Sequence, residues 1–150
     1  MANTYTSLHY HVVFSPKNRE AWITHDIEER IWKFIGGIAR ENKMKALLVG
    51  GMPDHIHIAL AIPPTLAVSN SLQLLKGGSS KWIKDNLPNM RGFAWQDGYG
   101  AFTVSKSNLT DVLNYSQDQR EHHAAKTFKE EFLSLLVRHE VGYKEQYLWE

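Results

Sequence analysis

Two histidines mark the segment of this chain that is best equipped for chemistry. His55 and His57 lie in the stretch GMPDHIHIAL, residues 51 to 60, and the other residues after Asp54 are apolar. Side chains alternate along a β-strand, so in a strand both imidazoles point to one face, about 7 Å apart. Imidazole commonly binds divalent metal ions, and the spacing therefore suggests a metal site. Two exposed histidines on the solvent face of a half-buried strand fit the same pattern.

A second histidine pair has the same spacing. His9 and His11 flank Tyr10 near the start of the chain. Geometry alone does not choose between the two pairs. The pair at 55 and 57 is favoured by its setting, directly after Pro53-Asp54 and between apolar residues.

A tyrosine and a glutamine could complete such a site. Tyr115 and Gln119 are four residues apart, which is one turn apart on a helix face. The amide oxygen of the glutamine could coordinate a hard cation, and the phenolate of the tyrosine is a competent nucleophile beside a metal ion. A half-buried tyrosine and a solvated glutamine are the structural alternative.

The elements that must position these side chains follow the order β-α-β-β-α-β. They are strands over 7–15, 44–53, 55–63 and 92–105, helices over 24–42 and 67–87, and C-terminal helices over 109–125 and 129–139. This order predicts an α+β, ferredoxin-like antiparallel sheet with helices on one face and extra C-terminal helices. Gly77-Gly78 in the second helix predicts either a break or the close approach of another chain.

Composition limits the class of protein. The chain has 150 residues, no cysteine and a net charge of +1. We expect one catalytic domain over 1–150, without a disulfide framework or a cysteine-based zinc site. The N-terminus lacks a secretory signal pattern and no apolar run is long enough to span a membrane, so we expect a cytoplasmic protein.

With so small a net charge, any nucleic-acid contact must come from a local cluster of basic residues. Lysines and serines of the second helix, and two basic residues after the first strand, could form one. These candidates are Lys17, Arg19, Lys76, Ser79, Ser80, Lys81 and Lys84. A solvated surface charge is the alternative reading of each lysine.

Several motifs occur together in a familiar order. They are MPDHIHI followed by PP, then LQLLKGGSSKWIK, GYGAF and VLNYSQDQ. From about residue 5 to 125 the chain resembles the single-tyrosine transposases of the HUH superfamily, which include the transposases of small bacterial insertion sequences and the REP-associated tyrosine transposases.

The resemblance implies a set of roles. His55 and His57 would be metal ligands with Gln119 as the third, and the ion would be Mg²⁺ or Mn²⁺. Tyr115 would attack single-stranded DNA, form a covalent 5′-phosphotyrosine and release a 3′-OH. The family also implies a homodimer and recognition of hairpins at the element's ends. Because Mg²⁺ prefers oxygen ligands, two histidine nitrogens suit Mn²⁺ better.

Two other functions remain open at this point. One is a domesticated protein that binds hairpin DNA but no longer transposes. The other is a ferredoxin-like metal phosphodiesterase that acts on RNA or a nucleotide without a protein-linked intermediate.

Overall fold

The computed structural model describes residues 3–117 and 127–148, with side chains up to residue 114 in the first of these ranges. The strands are β1 (His9–Phe14), β2 (Lys45–Met52), β3 (His55–Ala61) and β4 (Gly100–Thr103). The helices are α1 (His25–Glu41), α2 (Val68–Asn86), α3 (Leu109–Gln117) and α4 (Phe128–Arg138). Short 3-10 turns occur at Lys17–Arg19, Lys106–Asn108 and Glu145–Tyr147.

The four strands form one antiparallel sheet in the order β2-β3-β1-β4. Strand β3 lies between β2 and β1, so the two histidines stand on a central strand. With α1 and α2 as the connecting helices, the predicted ferredoxin-like α+β fold is confirmed.

One face of the sheet, called here the first face, carries the main core. Ile56 and Ile58 of β3 pack there with Val12 and Phe14 of β1. Helix α1 supplies isoleucines at a helical spacing, Ile27, Ile31 and Ile35, and α2 supplies Leu72, Leu75 and Ile83. This burial is the main stabilising term expected for the two layers.

Helix α2 runs unbroken through its glycine pair. A Cβ atom built on Gly78 would lie 2.9 Å from Cδ1 of Ile38, whereas one on Gly77 would meet nothing within 4 Å in the part of the chain that the structure describes. Helix α1 of the same chain therefore makes the close approach that the second glycine allows. The expectation of a break is wrong, and no other chain is needed to explain the glycine.

The opposite face of the sheet, the second face, carries His11, His55 and His57. Apolar side chains of α4 pack on it against β1 and β4, and this smaller cluster consists of Val13, Phe102, Phe128, Phe132 and Leu136. Thr127 caps the start of α4 by accepting a hydrogen bond from the Glu130 amide. The histidine face is therefore covered by protein and does not face solvent.

The last predicted strand is much shorter than expected. Only Gly100–Thr103 joins the sheet, because the backbone before it is bonded elsewhere. The Lys17 amide donates to the carbonyl of Ala94, and the Gln96 amide donates to the carbonyl of Ser15. Residues 94–96 thus form backbone hydrogen bonds with the segment that follows β1. The prediction of a strand over 92–105 is wrong for its first part.

The predicted third helix is described as far as Gln117, and its remainder lies outside the described residues. Among the helices of the described ranges, none combines the length and apolar character needed to cross a membrane.

Candidate metal centre and its neighbours

The two motif histidines are buried side by side. His55 and His57 are each 1% exposed, and their ring centroids are 5.1 Å apart. They share the second face because the strand alternates, while Ile56 and Ile58 enter the main core. The reading of two solvated surface histidines is therefore excluded.

Each of these imidazoles has a hydrogen-bond partner at Nδ1. His55 Nδ1 lies 2.7 Å from Oδ1 of Asp54, and His57 Nδ1 lies 2.7 Å from Nε2 of His11. Burial raises the pKa of the Asp54 carboxyl, but its hydrogen bond with His55 and the charges of His55 and Arg19 outweigh burial and leave this pKa below its usual value. Asp54 is therefore an ionised acceptor for the imidazole N–H of His55 at neutral pH.

His11 joins the site from the neighbouring strand. In the antiparallel register His57 stands opposite Val13 and His11 stands opposite Ala59, so the two histidines are diagonal neighbours. Their ring centroids lie 5.0 Å apart with 25° between the ring planes, as expected for two imidazoles joined edge to edge by this hydrogen bond. Burial, and then the charges of His139 and Arg138, lower the pKa of the His11 imidazole to about 4. The sequence suggested His9 and His11 as a rival pair, whereas His11 belongs to the same site.

Helix α4 contributes a carboxylate that the sequence analysis did not identify. Glu131 is buried, and one of its oxygens lies within 4.8 Å of ligand nitrogens of His55 and His57. Two imidazole nitrogens and one carboxylate oxygen make a donor set suited to Mn²⁺ and related divalent ions. The chain therefore has a His-His-Glu group that could hold a metal ion. A charged residue on an otherwise apolar helix face was the available signal.

An aromatic ring from the same helix lies directly on the site. The Phe128 ring stacks on His55 with centroids 4.0 Å apart and an angle of 4° between the planes. It also meets His57 edge-on at 6.4 Å. Phe128 therefore restricts the orientation of His55 from the side opposite the strand.

The predicted nucleophile lies on helix α3. Tyr115 belongs to α3, which packs against β2 and β3, the two strands of the histidine hairpin. Its side chain lies outside the described part of the chain, as does the whole of Gln119. The roles of Tyr115 and Gln119 remain predictions.

The predicted DNA-binding residues differ in exposure. Lys17, Lys81 and Lys84 are exposed, and Arg19 and Ser80 are half-buried. Ser79 is fully buried, where its hydroxyl accepts a hydrogen bond from Nε1 of Trp95 at 2.9 Å and donates to the carbonyl of Lys76. Ser79 is therefore engaged inside the protein and is not exposed for a phosphate contact.

Lys76 anchors a loop. Its ammonium group donates to the carbonyls of Asp97 and Gly98 at 3.0 and 2.8 Å. Burial lowers the pKa of Lys76 to about 8, although the Asp97 carboxylate acts in the opposite direction. The ammonium also lies 5.7 Å from the centre of the Tyr99 ring, a distance suited to a cation–π contact.

Comparison with known proteins gives the family. The family model described as "Transposase IS200 like" matches residues 4–119, which is most of the chain and includes both motif histidines. The chain belongs to this family. Its resemblance to HUH-type single-tyrosine transposases, inferred above from the motifs, is thereby confirmed.

Two curated relatives of this IS200-like transposase span most of its length. The ISDra2 transposase TnpA of Deinococcus radiodurans is 24% identical over 119 residues, which cover 76% of this chain and 85% of the relative. The transposase for insertion sequence element IS200 of Salmonella typhimurium is 29% identical over 127 residues, covering 81% of this chain and 82% of the relative.

Two solved structures share the fold of this IS200-like transposase. A crystal structure of a candidate transposase from Deinococcus radiodurans R1 matches with a TM-score of 0.64 and 22% identity, covering 79% of this chain and 95% of the other. A REP-associated tyrosine transposase bound to a REP hairpin matches with a TM-score of 0.60 and 13% identity, covering 82% of this chain and 73% of the other.

Proposed function

We propose that this transposase cleaves and rejoins single-stranded DNA at the ends of an insertion sequence, with Tyr115 as the nucleophile and a divalent metal ion at His55 and His57. The observation that carries the proposal is the buried imidazole pair, with each Nδ1 held by a neighbour, on the hairpin against which the tyrosine helix packs. Membership of the IS200-like family supports the reaction class.

The cleavage step is a transesterification. The phenolic oxygen of Tyr115 forms a bond to phosphorus as the bond from phosphorus to the 3′ oxygen breaks. The phenol gives up its proton, and the leaving oxygen takes up a proton to become a 3′-OH. Because one phosphodiester replaces another, a 3′-OH can later attack the phosphotyrosine and reverse the exchange.

A tyrosine with an ordinary pKa, about 10, is mostly protonated at neutral pH and needs assistance. A bound divalent ion would supply it by neutralising charge on the phosphate oxygens. His55 and His57 would hold the ion through nitrogen. The third ligand is either Gln119, as the family pattern implies, or Glu131, which lies with the histidines. This mixed donor set favours Mn²⁺, although Mg²⁺ remains compatible with the oxygen ligand.

The DNA partner in this proposal is a single strand that ends in a hairpin. The structural neighbour described with a bound REP hairpin supports this class of ligand. Lys17, Arg19, Lys76, Ser80, Lys81 and Lys84 are the residues that we propose for phosphate contacts.

A denaturing gel tests the proposal. The protein is incubated with Mn²⁺ and labelled single-stranded DNA from the ends of its own element. We expect a protein-linked DNA band that requires metal and is lost in Tyr115→Phe and in His57→Ala. Tyr143→Phe, which changes an exposed tyrosine of the C-terminal segment, is the matched control and should retain the band.

The alternatives give different results in this assay. Cleaved DNA without a linked band would indicate a metal phosphodiesterase, and hairpin binding without cleavage would indicate a domesticated binding protein. A linked band that persists in Tyr115→Phe would overturn the assignment of the nucleophile.

A homodimer is part of the same proposal, and mixed dimers reveal whose tyrosine is used. A Tyr115→Phe subunit keeps its histidines, and a His57→Ala subunit keeps its tyrosine. If the tyrosine serves the partner's site, mixing the two inactive variants restores the linked band. If each tyrosine serves its own site, no band returns.

A further inference from the structure

Both motif histidines have their Nδ1 atoms engaged, but by chemically different partners. The partner of His55 is the Asp54 carboxylate, which can only accept a hydrogen bond. The partner of His57 is Nε2 of another imidazole, His11, and either nitrogen could carry the proton.

The position of that proton decides what His57 can do. If Nδ1 of His57 carries the proton and donates it to His11, Nε2 of His57 keeps a lone pair that can bind a metal ion. If His11 donates instead, neutral His57 carries its proton on Nε2 and cannot bind a metal through that atom. The acceptor at His11 therefore controls whether His57 is a competent ligand.

We propose that His11 is a positioning residue for the metal centre, which accepts the Nδ1–H of His57 and so fixes the tautomer that directs Nε2 of His57 to the ion. The inference rests on the proposed metal-dependent function and extends it to a residue outside the family's motif. In other metal sites, the hydrogen-bond partner of a metal-binding histidine raises metal affinity about 10- to 100-fold.

The surroundings of His11 suit this role. It is 6% exposed and stands on β1, which is bonded to β3 on one side and to β4 on the other. The donor–acceptor distance of 2.7 Å is short for a bond between nitrogens, and the angle of 25° between the ring planes fits a hydrogen bond that lies near the plane of both imidazoles. Phe102, opposite His11 on β4, belongs to the apolar cluster under α4. His11 is thus held in place from several directions.

Two substitutions of His11 distinguish the effect of its hydrogen bond on metal binding from the effect of its packing. His11→Phe keeps a flat ring of similar size and removes the acceptor, whereas His11→Gln places an amide oxygen near the position of Nε2. We expect His11→Phe to weaken Mn²⁺ binding, measured by titration calorimetry, about 10- to 100-fold. His11→Gln should recover most of that loss.

A second measurement uses the unsubstituted, metal-free protein. Long-range ¹⁵N–¹H correlation spectra identify the tautomer of each histidine, and we expect the Nδ1–H form for His57. In His11→Phe the Nε2–H form should increase. A His57 that carries its proton on Nε2 in the unsubstituted protein would overturn the inference, as would unchanged Mn²⁺ affinity in a folded His11→Phe.

Failure of the metal centre and failure of the His11 role give different results. If the unsubstituted protein binds no Mn²⁺, or if His57→Ala binds it equally well, the proposed metal centre fails. The tautomer of His57 in the metal-free protein still decides whether His11 sets it.

Discussion

At the scale of single residues, burial lowers the pKa of two bases, His11 and Lys76. His11 is neutral across the physiological range because its pKa is lowered to about 4, chiefly by burial. Lys76 is still mostly protonated at pH 7, but its pKa is lowered to about 8 by the same cause. The two hydrogen bonds that the Lys76 ammonium donates to carbonyls offset part of the cost of burying its charge.

The lowered pKa of Lys76 predicts a pH dependence of stability. Below about pH 8 the folded and unfolded chains both carry the cation, and folding has to bury it. Between about 8 and the ordinary value of 10.5, the folded chain has released a proton that the unfolded chain retains, so stability contributed by this group rises with pH.

Lys76→Arg should remove this rise, since arginine stays charged over the whole range. The measurement is urea unfolding of both proteins at pH 7.5 and at pH 9.5. We expect the unsubstituted protein to gain stability relative to the variant at the higher pH. Equal changes in both proteins would show that Lys76 titrates normally.

At the scale of elements, the β2–β3 hairpin sets where the proposed metal ligands His55 and His57 lie. A Cβ atom on Gly51 of β2 would lie only 2.2 Å from the backbone oxygen of His55. Backbone cannot move aside as a side-chain end can, so this position requires glycine. A Cβ atom on Gly50, one residue earlier, would meet nothing within 4 Å among the described residues.

Gly51→Ala should therefore displace His55 and destabilise the fold, by about 1–3 kcal/mol as for other overpacked positions. Gly50→Ala is the matched control and should change the free energy of unfolding little. Urea unfolding measures stability, and Mn²⁺ titration of the folded fraction measures the site. Similar stability in the two variants would mean that the hairpin tolerates a side chain at residue 51.

The elements also show which features were predictable. The isoleucine spacing of α1 and the alternation in β3 are local patterns, and both helix and strand were placed within a few residues. His11 and His57 are 46 residues apart in the sequence, and their contact depends on the register between β1 and β3. No local sequence pattern specifies that register. Helix α4 packs on the second face and brings Glu131 close to His55 and His57. This arrangement also results from long-range packing.

At the scale of the whole molecule, the net charge is too small for a basic surface on every side. The net charge is +1, yet α2 presents exposed Lys81 and Lys84 near one end. Binding of DNA by this protein should weaken with salt in proportion to the number of phosphate contacts.

The substitution Lys84→Ala tests whether this lysine contacts a DNA phosphate. If Lys84 contacts one phosphate, its loss should reduce the slope of log affinity against log salt by about 0.7 to 0.9. Lys33→Ala is the control, since Lys33 is exposed on α1 and pairs with Glu29 at 3.6 Å. Fluorescence anisotropy with hairpin DNA gives both slopes, and equal slopes for the two variants would exclude a phosphate contact at Lys84.

The proposed metal centre at the second face is most directly tested by anomalous diffraction from crystals grown with Mn²⁺. We expect one strong peak within coordination distance of Nε2 of both His55 and His57, with the nearest carboxylate or amide oxygen revealing the third ligand. A protein that binds Mn²⁺ elsewhere, or that shows no peak between these imidazoles at saturating metal, would contradict the assignment of this pair as the metal ligands.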